Sequence, residues 1–107
     1  DAYNEQFLSI IRSFKEKNKI VATVCVGALP LAKSGALKNK NGTTYNSNEY
    51  RKELKSFGVN LINEVIVEDG NFITSCGPST ATEVAFILLE KMTTKENAQK
   101  VRQLMGF

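Results

Sequence analysis

The chain has 107 residues, with 14 lysines and arginines against 11 aspartates and glutamates, two cysteines and no histidine. Its 42% hydrophobic and 23% charged residues are typical of one small globular domain. Without histidine, this sequence supplies neither a Ser-His-Asp triad nor a Cys-His pair, and no histidine-ligated zinc site. A net charge of +3 is too small to indicate a nucleic-acid partner. We therefore expect no metal, no cofactor and no nucleic acid.

No targeting or membrane segment is apparent in the sequence. The longest apolar stretch, residues 20–32, is interrupted by Thr23, Gly27 and Pro30 and is shorter than the ~20 residues that cross a bilayer. The first residues, DAYNEQ, are polar and acidic, unlike a signal peptide. We expect a cytoplasmic protein with reduced thiols and no membrane partner.

The first third of the chain predicts a helix, a strand and a second helix. Apolar residues at helical spacing predict an amphipathic helix that ends near Asn18 and buries a stripe made of Tyr3, Phe7, Ile10, Ile11 and Phe14. Residues 20–24 are continuously apolar and β-branched, which favours a strand buried on both faces of a parallel sheet. The small residues 25–32 then open a helix that stops at Ser34-Gly35.

The middle of the chain predicts a helix followed by a hairpin. A brief strand over 42–45 precedes a helix capped by Ser47 or Asn48 and stopped by Gly58, with Tyr50, Leu54 and Phe57 as its buried stripe. Residues 61–68 and 71–75 indicate two strands joined by Asp69-Gly70, a strong hairpin signal.

Two helices are predicted at the end of the chain. The helix over 79–92 is apolar on nearly every side, so we expect it to be deeply buried. Thr93 and Glu96 have the spacing of a capping box, which would begin a last helix ending at Gly106.

The alternation of helices and strands indicates a layered α/β fold. The opening helix has no strand before it, and only one convincing interior parallel strand is present. We infer that the chain is the C-terminal part of a larger domain, or that a second polypeptide completes the sheet. Because an unfinished sheet edge is prone to aggregate, we expect a complementary N-terminal segment, a second chain or a homodimer.

The segment Val24-Cys25-Val26-Gly27 is the clearest candidate for chemistry. A buried strand ends at a cysteine, and a glycine two residues later opens a helix, which is the pattern of a nucleophile elbow. Main-chain N–H groups at the start of a helix favour a thiolate, and the amide of Val26 is a natural oxyanion donor. The alternative is a buried structural cysteine.

Three segments together resemble a known family: VATVCVGALPLAKSGAL, the following TTY, and VEDGNFITSCGPSTATEVAFILLE. They are similar to the C-terminal half of the ThiJ/PfpI family, which is related to class I glutamine amidotransferase domains. The resemblance implies an α/β, flavodoxin-like three-layer sandwich around a mostly parallel sheet. Residues 1–107 would be the C-terminal part of a single such domain.

The resemblance also implies roles for individual residues. Cys25 matches the family's reactive cysteine, and Val26 is the backbone oxyanion donor. Tyr45 stands where many members have a histidine after two threonines, so it is either a candidate hydrogen-bond donor or an ordinary half-buried aromatic residue. Substrate-binding positions are implied at Gly27, Thr44, Cys76, Gly77 and Pro78. Protease-like members place histidine directly after the cysteine, and Val26 there makes a peptidase unexpected.

Proton transfer without histidine requires a carboxyl group or another acid. Family members use an acidic residue near their N-terminus, in a region outside this sequence. Within it, Glu64, Glu68 and Glu83 are the carboxylates to consider; we expect hairpin surface positions for the first two and a structural ion pair for Glu83. Cys76 is either a resolving cysteine for Cys25 or an inert packed thiol.

These observations predict a cysteine-dependent enzyme that adds water or a small nucleophile to a small electrophilic substrate, by hydratase, amidase or deglycase chemistry. The alternative is a non-catalytic redox-sensing or chaperone-like protein of oxidative stress, in which Cys25 is oxidised. A transcription regulator is less favoured, because such regulators append a helix-turn-helix domain and this sequence stops at Phe107.

Overall fold

The computed structural model describes residues 2–107. The helices are α1 (Glu5–Glu16), α2 (Ala28–Lys33), α3 (Asn48–Ser56), α4 (Ala81–Met92) and α5 (Lys95–Leu104). The strands are β1 (Val21–Ala22), β2 (Asn41–Gly42), β3 (Asn60–Leu61), β4 (Ile66–Asp69) and β5 (Phe72–Ser75). Short 3₁₀ turns, Cys25–Gly27 and Pro78–Thr80, lead into α2 and α4. No helix within residues 2–107 is long and apolar enough to cross a membrane.

Strand β5 lies at the centre of the larger sheet. It pairs in parallel with β1 on one side and antiparallel with β4 on the other. The predicted hairpin is confirmed, and Gly70 turns it with φ of 59°. The strand predicted over 61–68 is wrong in its first half. Leu61 pairs instead in a separate parallel ladder with β2, because β3 follows α3 directly.

The core occupies both faces of the larger sheet. Phe72 belongs to a buried cluster with side chains from α1, α2 and α3, including Leu8, Leu31 and Leu54. Successive residues of a strand point to opposite faces, so the fully buried Ile73 faces the other side, where α4 contacts β5. Helices therefore cover both faces of the sheet, as predicted, although within the described residues this sheet is mixed, with one parallel and one antiparallel pair of strands.

The predicted buried stripe of α1 is wrong for most of its members. Leu8 and Ile11 are buried, and they pack in the cluster shared with α2 and α3. Phe7, Ile10 and Phe14 are 44%, 56% and 46% exposed. The reason is that, within residues 2–107, no element covers the side of α1 beyond β1, which is the edge strand of its sheet.

Helix α4 is also less buried than its composition predicts. Only Val84 and Phe86 are buried, whereas Ala81 and Ala85 are exposed. Because β5, α5 and the preceding turn are the main elements that α4 touches among the described residues, part of its apolar surface has no neighbour there.

Side-chain caps set the beginnings of α1 and α5. Asn4 accepts from the Gln6 N–H at 2.8 Å at the start of α1. The predicted capping box is displaced by one residue. Thr94, not Thr93, caps α5 by accepting from the Asn97 N–H at 3.0 Å, whereas the Thr93 hydroxyl donates to the Leu89 carbonyl at 2.6 Å.

A tyrosine that lies just before α1 bonds to a side chain of α3. The Tyr3 hydroxyl donates to the Glu53 carboxylate, and burial together with this carboxylate raises the pKa of Tyr3 from 10.0 to about 12. The protonated phenol is thus favoured in the folded state. Its contribution to stability is complete below about pH 10 and lost as the pH rises towards 12.

We expect the unfolding free energy of the wild type to fall over that alkaline window more steeply than that of Tyr3→Phe. Denaturant titrations at several pH values measure the difference. Equal slopes for the two proteins would contradict the assignment.

Candidate active site

Cys25 lies at a sharp turn between β1 and α2. Its φ of 61° is in the left-handed region, which costs a residue with a β-carbon about 1–2 kcal/mol. The other non-glycine residues with positive φ in the described chain are Asn18 and Asn39, and asparagine tolerates this conformation. Cys25 is a half-buried free thiol. The strand–turn–helix geometry predicted around it is therefore present, and the residue is not enclosed in the core.

Three hydrogen bonds hold this turn in place. The Thr44 hydroxyl donates to the Cys25 carbonyl at 3.0 Å, and the Ser75 hydroxyl donates to the Thr23 carbonyl at 2.9 Å. The Gly27 N–H donates to the Val24 carbonyl at 3.1 Å. A β-carbon on Gly27 would lie 3.3 Å from the Thr23 β-carbon, so glycine allows the close packing of helix on strand.

Two of these contacts come from Thr44 and Ser75, side chains that the sequence did not identify as supports of the turn. Thr44 was predicted to bind substrate, which stays a prediction, and its hydroxyl also donates to the Cys25 carbonyl. Ser75 carries no motif, but a fully buried serine at the end of a central strand must find a hydrogen-bond partner. The need of a buried hydroxyl group for a hydrogen-bond partner is therefore the signal that could have identified Ser75 as a support of the turn.

Val26 and Tyr45 lie at the surface beside the turn. Val26 is 39% exposed and follows Cys25 within the 3₁₀ turn. Tyr45 is 44% exposed and follows Thr44, whose hydroxyl reaches Cys25. The Tyr45 ring packs edge-on against Tyr50, with centroids 6.2 Å apart. Their roles as oxyanion donor and hydrogen-bond donor remain predictions.

Cys76 follows β5 and is a second half-buried free thiol. Because β1 and β5 are parallel neighbours, both cysteines follow the carboxyl end of a strand at the same end of the sheet. Cys76 lines a small cavity that does not include Cys25; the other residues around it are Thr43, Asn46, Arg51, Asn63, Glu64 and Val65. Arg51 on α3 was not expected there. Gly77 and Pro78 continue from Cys76 into the turn before α4.

The three candidate carboxylates lie in different surroundings. Glu83 pairs with Arg102 at 2.6 Å, as expected, and the hydrogen bond from Arg102 lowers the pKa of Glu83. Glu68 lies 3.5 Å from Lys91. Glu64 lines the cavity beside Cys76. Two of the three are therefore engaged by cations, and Glu64 is the one of the three that lines a cavity together with a cysteine, Cys76.

The sequence matches a family model over most of its length. The model described as the DJ-1/PfpI family matches residues 2–91. The chain belongs to the DJ-1/PfpI family. The resemblance to ThiJ/PfpI proteins is thereby confirmed, and the flavodoxin-like fold with it, since the crystal structure of Drosophila melanogaster DJ-1beta superposes with a TM-score of 0.86 at 28% identity.

Curated relatives of this DJ-1/PfpI chain include two enzymes. Isonitrile hydratase of Pseudomonas putida is 31% identical over 92% of this chain and 42% of its own length. Deglycase PfpI of Pyrococcus furiosus is 36% identical over 70% of this chain and 44% of its own length. The DJ-1beta match covers 97% of this chain and 55% of that structure. The chain thus spans about half the length of the relatives it matches.

Adjacent threonines provide a matched test of the contact on Cys25. Thr44 and Thr43 are both buried, but the Thr44 hydroxyl donates to Cys25, whereas the Thr43 hydroxyl has no hydrogen-bond partner in the described residues. We expect Thr44→Val to lower the unfolding free energy by about 1 kcal/mol and Thr43→Val to be neutral or stabilising. Urea unfolding measures both. Equal effects, or the reverse order, would contradict the role given to Thr44.

Proposed function

We propose that this chain is the C-terminal part of a single DJ-1/PfpI domain and carries the nucleophile of a cysteine-dependent enzyme. The substrate is a small electrophile, and the chemistry is of hydratase, amidase or deglycase type. The observation that carries the proposal is the left-handed main chain of Cys25, φ of 61°, at a half-buried position between strand and helix. Strained main-chain conformations in folded proteins cluster at functional sites.

The proposed first step is attack by the Cys25 thiolate on the electrophilic carbon. A C–S bond forms, and an electron pair moves from the carbon's multiple bond onto its oxygen or nitrogen. The Val26 N–H donates to that atom, in the manner of an oxyanion hole. In an amide the electron pair then returns, the C–N bond breaks and the protonated amine leaves, so that a thioester remains; in an isocyanide the carbon takes up a proton and a thioimidate remains. Water then attacks the same carbon, the C–S bond breaks, the sulfur departs as the thiolate, and the proton released by the water restores the acid.

Protons must reach the substrate heteroatom without histidine. The contacts of Glu68 with Lys91 and of Glu83 with Arg102 favour structural roles for these two carboxylates. We propose that Tyr45, or a carboxyl group outside this sequence, supplies the proton. Tyr45 is favoured within the chain because it follows Thr44, which bonds to Cys25.

Substrate contacts are proposed for the residues that follow the two parallel strands and for the threonine that bonds to the turn. These are Gly27, Thr44, Cys76, Gly77 and Pro78. They support a pocket at the carboxyl end of the sheet, where ligands of open α/β sheets bind. The names of the two relatives, a hydratase and a deglycase, favour an enzyme over a purely structural protein.

The test is turnover of a substrate panel by the intact protein and by Cys25→Ser. The panel contains an isocyanide, a simple amide and a methylglyoxal adduct of a thiol or amine. We expect the wild type to turn over at least one class and Cys25→Ser to lose that activity while retaining its circular dichroism spectrum. Unchanged turnover by Cys25→Ser would contradict the proposal.

A redox sensor is the second candidate, because Cys25 and Cys76 are both free and half-buried at the same end of the sheet. In that case peroxide would oxidise Cys25 to a sulfenic acid, with loss of water, and Cys76 would displace hydroxide to form a disulfide. Mass spectrometry after peroxide treatment distinguishes the two. Oxidation of Cys25 without turnover of any panel member would favour the sensor.

A further inference from the structure

The cavity beside Cys76 brings four separate segments of the chain together. Thr43 follows β2, Arg51 lies on α3, residues 63–65 connect β3 to β4, and Cys76 follows β5. The volume of this Cys76 cavity is about 160 Å³. Because Cys25 does not line it, the cavity lies apart from the turn that carries the proposed nucleophile.

Hydrogen bonds from the main chain fix two walls of the Cys76 cavity. The Thr43 N–H donates to the Thr74 hydroxyl at 2.9 Å, and the Cys76 N–H donates to the Val65 carbonyl at 3.0 Å. A cavity whose walls are already held in place loses little conformational entropy when a ligand binds. The Cys76 cavity is therefore preorganised for a small molecule.

The polar side chains that line the Cys76 cavity are available to a ligand. Within residues 2–107, no hydrogen bond or ion pair engages the side chains of Asn46, Arg51, Asn63 or Glu64. Thr43 is only 1% exposed, and its hydroxyl also has no partner in this part of the chain. A buried hydroxyl group without a partner lowers stability, so a ligand that supplies an acceptor at this wall would remove that cost.

The Cys76 cavity presents one positive and one negative side chain that do not pair with each other. Arg51 is half-buried and Glu64 is exposed, and the ion pairs of the described residues include neither. A guanidinium group binds a carboxylate through two parallel hydrogen bonds, and a carboxylate accepts strong hydrogen bonds from an ammonium group. A molecule that carries both groups would satisfy both side chains, whereas a simple anion would be repelled by Glu64 and a simple cation by Arg51.

The volume of the Cys76 cavity limits the size of the ligand. A cavity of about 150 Å³ can hold benzene, which has about six non-hydrogen atoms. A volume of about 160 Å³ therefore suits an amino acid with a short side chain, such as alanine. Val65 also lines the cavity and offers apolar surface to the methyl group of such a ligand.

We infer that the Cys76 cavity binds a small α-amino acid in its zwitterionic form. Arg51 and the Thr43 hydroxyl donate to the ligand's carboxylate, and Glu64 accepts from its ammonium group. The inference does not depend on the proposed activity, because binding is measured without turnover and with Cys25 unchanged.

Titration of the intact protein with L-alanine, followed by ¹H–¹⁵N NMR, tests the binding. We expect saturable shifts of the amide signals of Thr43, Asn63 and Cys76, with a dissociation constant in the millimolar range. Propionate, which lacks the ammonium group, and ethylamine, which lacks the carboxylate, should each bind at least about tenfold more weakly. The absence of saturable shifts with L-alanine, or equally tight binding of propionate or ethylamine, would overturn the inference.

Charge-matched variants test which side chains hold L-alanine. Arg51→Gln should weaken binding at least about tenfold, whereas Lys55→Gln, on the same helix but outside the cavity, should leave it unchanged. Glu64→Gln should weaken binding relative to Glu49→Gln, and Thr43→Val should weaken it several-fold without loss of stability. The same NMR spectra show that each variant is folded. Binding by Arg51→Gln, Glu64→Gln or Thr43→Val as tight as that of the control variants would overturn the inference.

Discussion

Replacing Cys25 by alanine is expected to lower turnover by at least about 10³-fold, because it removes the sulfur that we propose to bond to the substrate. Glycine at the same position should abolish turnover equally. The two variants should differ in stability, however, because alanine keeps the cost of a β-carbon at φ of 61° and glycine removes it. After allowance for the greater freedom of glycine in the unfolded chain, we expect Cys25→Gly to be the more stable by about 0.5–1 kcal/mol.

Gly35 offers the matched control for this backbone effect. Its φ is 93°, and an added β-carbon would meet no atom within 4 Å. Gly35→Ala should therefore destabilise the protein through the main-chain conformation alone, with turnover retained. Urea unfolding and turnover assays measure all three variants. A Cys25→Ala variant more stable than Cys25→Gly would contradict the strain assigned to the turn.

Ile73→Ala is expected to lower the unfolding free energy by about 2–5 kcal/mol. Ile73 is fully buried at the centre of β5, the strand that joins β1 to β4. Truncation leaves a cavity between the sheet and α4. The Ile73 carbonyl also accepts from the Thr23 N–H, so loosening this position should disturb the strand that carries Cys25.

The control for this substitution is Val65→Ala, at a side chain that is 62% exposed. Its effect should stay within about 0.5 kcal/mol. Denaturant unfolding of both variants provides the comparison. A loss below about 1 kcal/mol for Ile73→Ala would show that α4 does not pack tightly on this face.

Local signals predicted most of the elements. Asp69-Gly70 marked the hairpin correctly, and Gly58 ends α3 with φ of 83°. Predictions of burial, which depend on which surfaces pack against each other, were less reliable. The stripe of Phe7, Ile10 and Phe14 has the spacing of a buried face, yet these side chains are exposed. Periodicity identifies an apolar face but not its neighbour, and that neighbour is not among the residues described.

The turn around Cys25 was predictable because strand, cysteine and Gly27 are contiguous in the sequence. Its supports were not, because they come from distant positions. Thr44 lies 19 residues from Cys25 along the chain, and Ser75 lies 52 residues from Thr23. The prediction that α4 is deeply buried was wrong for the same reason as the prediction for α1. An apolar composition does not show which neighbouring element covers each side of a helix.

Mass spectrometry of the intact protein during turnover tests the central claim, that the Cys25 sulfur bonds to the substrate. Rapid acid quenching followed by proteolysis should place a substrate-derived mass on the peptide that contains Cys25, and Cys25→Ala should carry none. A substrate adduct on Cys76 instead, or continued turnover by Cys25→Ala, would contradict the claim.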